Sequence, residues 1–406
     1  MKIMKTIVEI NGINYSSTGT ITLNIARELR KNGFNVYTAC KNSRMGRRFP
    51  YEQQIYIGTW LERVVSERLA GLTGKKGCYN VLNTWMFIER LKKIKPDLIH
   101  IHLLHDTFIN LRMLFDYIRK YDIPVIWTFH DCWAFTGQCS YFDLVGCSKW
   151  IDGCHDCEQT DTYPSTYFID RTKLMWKKKK EWFSNVRNMT IVTPSRWLKD
   201  LTEKSYMKDY PVKVIYNGIN LDIFHPYQTD FRKQHHLEDK HIVLGVSYGW
   251  SITKGVDVFI KLAKMLPENY QIVMVGTNDE TDRMLPDNIL SIHKTYDQKQ
   301  LAEIYSAADL FVNPTRQDNF PTVNMEALAC GLPVLSFRTG GCPEIINESC
   351  GSIVEKNDIE ALKNEIIRIC ETKPYTKEAC LKRAGEYDMS AKYREYVELI
   401  KDILGN

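Results

Sequence analysis

The chain contains no apolar run near the roughly 18 residues that a membrane-spanning helix needs, so no transmembrane segment is expected. It has little net charge. Lys+Arg number 54 and Asp+Glu 49, a formal +5 over 406 residues, which lacks the basic excess of a nucleic-acid-binding protein. Any anionic partner must then be met locally. The opening residues MKIMKTIVEINGINYSS lack the apolar core and small-residue cleavage site of a secretory signal, and their alternation reads as a first strand. Twelve cysteines without an export signal imply a reducing, cytoplasmic compartment, where thiols stay free or bind metal. The G-x-G-x-x-G pattern is missing after that strand, so a dinucleotide fingerprint is not supported.

What is present is β-then-α alternation. With 44% hydrophobic residues, 406 positions suffice for two globular domains. Strand Ile3 to Ile10 precedes a helical segment in which Ile21, Ile25 and Leu29 recur every four residues, and Asn32-Gly33 closes it. Further units follow at PDLIHIHLL, IPVIWTFH and MTIVTPS. A second series begins near VKVIYNG and continues through HIVLGVS, YQIVMVG, ILSIH and DLFVNPT. Repeated alternation predicts two doubly wound α/β halves with parallel sheets. The domains are expected at residues 1–208 and 209–387, with a terminal helix over 388–406.

Several segments carry residues suited to a site. In TRQDNFPTVNMEALACGLPVLSFRTGG, Thr322 is a fitting N-cap and Gly331 with Pro333 a stop, which predicts a helix over Val323 to Cys330. Asp318 then lies in the preceding loop and Glu326 in the first turn, at the sheet edge where open α/β folds bind ligands. Two acids there also complement the helix dipole, so spacing alone leaves both readings open. In GVSYGWSITKGVDVF a strand runs into a turn and Lys254-Gly255 opens a helix, an arrangement that suits a phosphate although it is not a Walker loop. Gly19 stands just ahead of the first expected helix. His130 and Asp131 leave a strand end together, where an imidazole can bond a polar ligand or merely cap the strand.

Two features stand apart. Cys139, Cys147, Cys154 and Cys157 follow C-x7-C-x6-C-x2-C within the one long interval that lacks alternation, residues 131–164. Four thiolates there suggest a structural zinc that stabilises the loop, with buried free thiols as the alternative and Cys132 and His155 as spare ligands. KLMWKKKKEWF sets Lys177 to Lys180 among aromatics. It reads first as a solvated helix face with core aromatics, and otherwise as a surface for an anionic membrane.

In order along the chain, FHDCWAFTGQC, TPSRWL, VIYNGINLDIF, KGVDVF, DNFPTVNMEALACGLPVL and TGGCPEII resemble the retaining, GT-B-fold glycosyltransferases of family 4, in particular those of bacterial exopolysaccharide, capsule and colanic acid assembly. The resemblance spans nearly the whole chain. It implies two Rossmann-like domains facing across a cleft, the acceptor mostly on the first and the nucleotide diphosphate sugar mostly on the second, with the terminal helix crossing back to the first. It implies transfer to a glycan or lipid-linked oligosaccharide hydroxyl with retention, no catalytic metal and no nucleic acid. Glu326 matches the family's ribose ligand. Asp318 stands where a glutamate that meets the donor sugar is expected, one methylene short. Lys254 matches the diphosphate lysine. The family arginine five positions earlier is replaced by Gly249, so diphosphate neutralisation must lean more on Lys254, on backbone amides, or on a substitute cation such as Arg316. Backbone groups of Phe320, Pro321, Thr322 and Val323 match contacts to hexose and diphosphate, Gly19 the glycine loop, and His130 a histidine that meets the transferred sugar. A nucleotide-sugar epimerase or hydrolase of the same fold, or a non-catalytic binding homologue, is the alternative.

Overall fold

A computed structural model describes residues 4–405, so Met1 to Ile3 and Asn406 of the expected end elements lie outside the described residues. The chain forms two compact units, one running to Ile215 and resuming at Tyr393, the other spanning Tyr216–Lys392. Each holds one sheet, and every recorded strand pair is parallel.

In the first unit the strands are β1 (Thr6–Ile10), β2 (Asn35–Lys41), β3 (Gln54–Ile57), β4 (Leu98–Ile101), β5 (Val125–Thr128), β6 (Met189–Thr193) and β7 (Val212–Val214), in spatial order 3-2-1-4-5-6-7. Strands β4 and β5, LIHI and VIWT, are buried at all four positions, as expected where helices cover both faces of a parallel sheet. The second unit contains β8 (His241–Val246), β9 (Tyr270–Val275), β10 (Ile289–Ile292), β11 (Leu310–Asn313), β12 (Val334–Phe337) and β13 (Gly351–Val354), in order 10-9-8-11-12-13. Its core has two parts: Tyr305, Phe311 and Met325 in one cluster, Phe259, Phe337 and Ile366 in the other. Strand order reverses between β1 and β4 and again between β8 and β11, and such switch points open a crevice at the carboxyl ends of the strands. Both sheets are doubly wound and Rossmann-like, as the β-then-α alternation predicts.

Helix ends differ from the sequence reading in instructive ways. The first helix, Ser16–Lys31, already includes Gly19 in its first turn, so this glycine is not the turn ahead of the helix. A Cβ at Gly19 would lie 2.7 Å from the backbone of Asn14, and close packing rather than turn geometry requires it. The terminal helix, Met389–Leu404, buries Tyr393, Tyr396, Val397 and Ile400. Tyr396 accepts a hydrogen bond from Thr128 Oγ1 at 3.4 Å and sits 5.5 Å from the His100 ring, which anchors this part of the helix on the first unit.

Candidate functional site

In the second unit, β8 runs out into a turn that leads through Ile252–Lys254 to the helix Val256–Met265. Gly255 has φ 81°, and a Cβ there would meet Pro314 at 2.7 Å. Only glycine lets this turn close onto the loop after β11. Lys254 Nζ then reaches Asp318 Oδ2 at 2.7 Å. Burial pulls the Lys254 ammonium down, and the Asp318 carboxylate more than offsets it, so its pKa ends above the ordinary range.

Arg316 is not a substitute cation for a diphosphate. Its guanidinium grips both oxygens of Asp257 at 2.7 and 2.8 Å, donates Nε to Asn357 at 2.7 Å, and bonds the Ile252 carbonyl. The side chain is buried, with every nitrogen engaged. It ties the turn that carries Lys254 to the loop that carries Asp318, which makes it a positioning residue.

The helix after β11 is Thr322–Ala329, one residue earlier than expected because Pro321, at φ −68° and ψ 118°, takes the N-cap position. Phe320 is buried against Tyr216 and Tyr387, with ring centroids 5.0 and 5.7 Å away, so its backbone rather than its ring is the group a ligand could meet. Pro321 is buried, while Thr322 and Val323 are half-buried at the helix start. Glu326 accepts a hydrogen bond from Tyr305 at 3.2 Å. Burial raises its pKa to about 7 against the opposing pull of the Tyr305 and Thr322 hydroxyls. Among the described residues no cation is paired with it.

In the first unit, His130 leaves β5 as expected and ends a buried chain that the sequence reading missed. Glu9 Oε2 lies 3.0 Å from His102 Nε2, and His102 Nδ1 lies 3.0 Å from His130 Nε2. His100 Nδ1 is 2.9 Å from the same Glu9 oxygen, and its Nε2 bonds Thr128 at 2.8 Å. Burial lowers the pKa of His102 to about 3 and of His130 to about 4, so both rings are neutral at pH 7. Burial raises the Glu9 pKa against the opposing pull of His102; when Glu9 is ionised, His102 donates Nε2–H to it and accepts at Nδ1 from His130 Nε2–H. A signal did exist: Glu9 is the only acid in TIVEI, and His100 and His102 alternate on one face of the β4 edge. Glu9 and His100 are cross-strand partners. We expect Glu9→Gln, which removes the charge but not the shape, to lower kcat about tenfold through the His130 proton, with far-UV circular dichroism intact. Unchanged kcat would remove the chain from the site.

Asp131 does not join His130 as an acid/base pair. It accepts from the Trp133 amide at 2.8 Å and lies 3.3 Å from His105. Cys139, Cys147, Cys154 and Cys157 all line one cavity, together with His155, whereas Cys132 does not. The four-lysine run is not a single surface: Lys179 is buried, and Lys178 and Lys180 lie over Trp182 and Trp176 at 5.5 and 5.2 Å. At about 100° per residue, four consecutive positions go right round a helix, so one must face inward.

Comparison with known proteins agrees with this architecture. Residues 18–223 match the model of Glycosyltransferase Family 4, and residues 227–386 that of Glycosyl transferases group 1. The chain is 24% identical over 272 residues to the colanic acid biosynthesis glycosyl transferase WcaC of Escherichia coli (strain K12), covering 65% of each chain. It is 27% identical over 312 residues to a glycogen synthase of Streptococcus pneumoniae, covering 64% of this chain and 61% of that one. It thus spans less than two thirds of these curated relatives. Sucrose-phosphate synthase from Thermosynechococcus elongatus superposes with a TM-score of 0.73 at 20% identity over 99% of both chains. Anabaena HepE, solved in complex with UDP-glucose, superposes at 0.67 and 14% identity over 98% of this chain and 99% of that one. With more than half of its length inside the first family model, the chain belongs to glycosyltransferase family 4.

Proposed function

We propose that the protein transfers a glycosyl unit from a nucleotide diphosphate sugar to a hydroxyl of a lipid-linked glycan, with retention at the anomeric carbon, in surface polysaccharide assembly. The observation that carries this reading is the pairing of a ribose-type acid, Glu326, with a cation, Lys254, at the carboxyl ends of strands in one sheet. In this reading Glu326 holds the ribose hydroxyls. Lys254 and the amides near the start of the helix Thr322–Ala329 take the diphosphate. Asp318 meets the sugar hydroxyls, and His130 the transferred sugar. The leaving group already carries two phosphates, so stabilising its developing charge replaces a strong acid, and no catalytic metal is invoked. This differs from a retaining hydrolase, whose two carboxylates straddle the bond and form a covalent intermediate. HepE's solved complex with UDP-glucose supports the donor class.

A lipid-linked acceptor places the work at a membrane surface, on the cytoplasmic side. Among the described residues no helix is long and apolar enough to cross a membrane. The helices Trp60–Thr73 and Val81–Ile94 nevertheless turn a shared apolar face to solvent: Trp60 is 61% exposed, and Leu61, Val65, Leu69, Leu82 and Trp85 are exposed with it. Glu62 joins the two by accepting from the amides of Leu82 and Asn83 at 3.0 and 2.7 Å. Asn42 links the turn before Trp60 to Arg47, bonding Gly58 at 2.8 Å and Arg47 at 2.9 Å, so a basic loop of exposed Arg44, Arg47 and Arg48 adjoins the apolar face. Apolar area with flanking arginines suits an anionic bilayer, each arginine contributing about 1 kcal/mol. This face, rather than Lys177 to Lys180, is the docking surface we assign.

The test is incubation with UDP- and GDP-sugars and a polyprenyl-diphosphate-linked glycan, reading nucleotide release and the anomeric configuration of the product by NMR. Sugar hydrolysed or epimerised without an acceptor favours the epimerase or hydrolase alternative. Absence of nucleotide-sugar binding favours a non-catalytic homologue. Arg47→Glu combined with Arg48→Glu should weaken flotation with phosphatidylglycerol vesicles at least about tenfold. Equal flotation would refute the docking face without touching the donor assignment.

A further inference from the structure

Residues 136–171, between the turn Trp133–Phe135 and the helix Thr172–Phe183, contain no strand or helix. A segment of this length needs something other than a backbone ladder to fix it. Part of the answer is aromatic: Trp150 stacks on Phe142 with ring centroids 4.9 Å apart and packs against Phe135 at 5.2 Å. The rest is the sulfur cluster. Cys139, Cys147, Cys154 and Cys157 line a single cavity beside Trp150, and none of them is in a disulfide.

Two backbone amides donate to sulfur at this cavity, the kind of bond that favours a metal-bound thiolate. Gly137 N–H donates to Cys154 Sγ at 3.1 Å and Gln159 N–H to Cys157 Sγ at 3.4 Å. The second bond comes from the amide two residues beyond the last cysteine of C-x2-C. A Cβ at residue 137 would sit 2.5 Å from the Thr172 carbonyl oxygen and 2.9 Å from Cys154 Cβ, so only glycine brings that amide to the sulfur. Lys179 supplies the counter-charge. Buried at 1% exposure, it bonds the carbonyls of Trp133 and Thr136, lies 3.7 Å from the Trp133 ring centroid, and acts electrostatically on Cys139 and Cys154. Burial lowers the Lys179 pKa to about 7, and Cys154, Cys139 and Asp131 oppose that fall, so anionic sulfur in the cavity would favour its charged form.

The geometry points to a structural Zn2+ site made by Cys139, Cys147, Cys154 and Cys157. Binding exchanges four S–H bonds for four Zn–S bonds and releases four protons, leaving a centre of net charge −2 that Lys179 half-neutralises. Among the described residues the sole trio of donor atoms within 4.8 Å of one another is Glu9, His100 and His102, so the sulfurs outline the site without closing it. Zn–S bonds of about 2.3 Å set tetrahedral sulfurs about 3.8 Å apart, so binding would require the four sulfurs to close in on the ion. Cys147 and Cys157 are the half-buried pair of the four. His155 lines the cavity but is bonded to Asp156 at 3.0 Å and half-exposed, which leaves four thiolates as the set.

The full-length protein, purified without chelator, should carry about one zinc per chain by mass spectrometric elemental analysis. A thiol-directed mercurial should release it, and cobalt should reload the site with thiolate charge-transfer absorption. Cys154→Ser with Cys157→Ser should abolish binding. Cys370→Ser, a buried thiol of the helix Ile359–Thr372, should retain it. Should the double variant fail to fold, zinc content and cobalt spectra of the unmodified chain still decide. Zinc below about one tenth of an equivalent with no cobalt charge-transfer band, or disulfides among the four cysteines in freshly isolated protein, would overturn the site.

Discussion

Glu326→Gln is expected to stabilise the folded chain while weakening its hold on a nucleotide. Desolvation of the half-buried Glu326 raises its pKa to about 7 from an ordinary 4.5, so keeping it charged at pH 8 costs on the order of 1–3 kcal/mol. The sign follows from proton counting. Between pH 4.5 and 7 the folded state holds a proton that the unfolded chain has lost, and stability therefore falls as pH rises through that window. The penalty is absent below the window and complete above it. Glutamine keeps a carbonyl for Tyr305 and carries no charge, so urea titrations should show the variant about 1–3 kcal/mol more stable at pH 8 and level with the parent near pH 4.5. Hydrogen bonds from ribose hydroxyls to a carboxylate are charge-assisted, and losing that charge should weaken donor binding about ten- to a hundredfold by calorimetry. The parent's own affinity should fall toward the variant's as pH drops below about 7. Equal stability at both pH values would refute the buried charge, and undiminished donor affinity would refute the ribose role.

How much of this was legible in the chain depends on whether a feature is local. The two-sheet architecture was legible, because buried parallel strands leave short apolar runs and their alternation with helical periods survives in sequence. Lys254 beside its strand-to-helix turn and Glu326 on the helix after β11 were placed for the same reason, since each lies close in sequence to its own strand. Arg316 was not. Its partners Ile252, Asp257 and Asn357 come from separate segments, and a lone arginine near an anion site looks free until those contacts are seen. Lys179 was hidden in a run of identical residues, where only the helix's rotation decides which one is buried. The Trp60–Thr73 helix shows the reverse difficulty. Apolar residues at helical spacing suit a core, whereas among the described residues Trp60, Leu61, Val65 and Leu69 are exposed.

Lys254 and Asp318 are 64 positions apart and joined at 2.7 Å, which turns the role of the shortened acid into a question that a double-mutant cycle answers. Lys254→Ala should cut kcat/KM by about a hundred- to a thousandfold, the usual cost of removing one group that stabilises charge on a leaving group. Asp318→Ala has two readings that differ in arithmetic. Should Asp318 serve only to hold the ammonium in place, its effect passes through Lys254, and the double variant should be no slower than Lys254→Ala alone. Should it bind the donor sugar itself, the two losses multiply. We expect multiplication with partial coupling, because Arg316 already fixes both loops through Asp257, Asn357 and Ile252 and leaves Asp318 free of a purely structural duty. Asp318→Glu sharpens the test: the added methylene should retain most activity if the carboxylate exchanges the lysine for a sugar hydroxyl when donor binds, and should cost as much as alanine if only the present ion-pair geometry matters. A double variant indistinguishable from Lys254→Ala would reduce Asp318 to a positioning residue and leave the sugar contacts to backbone amides.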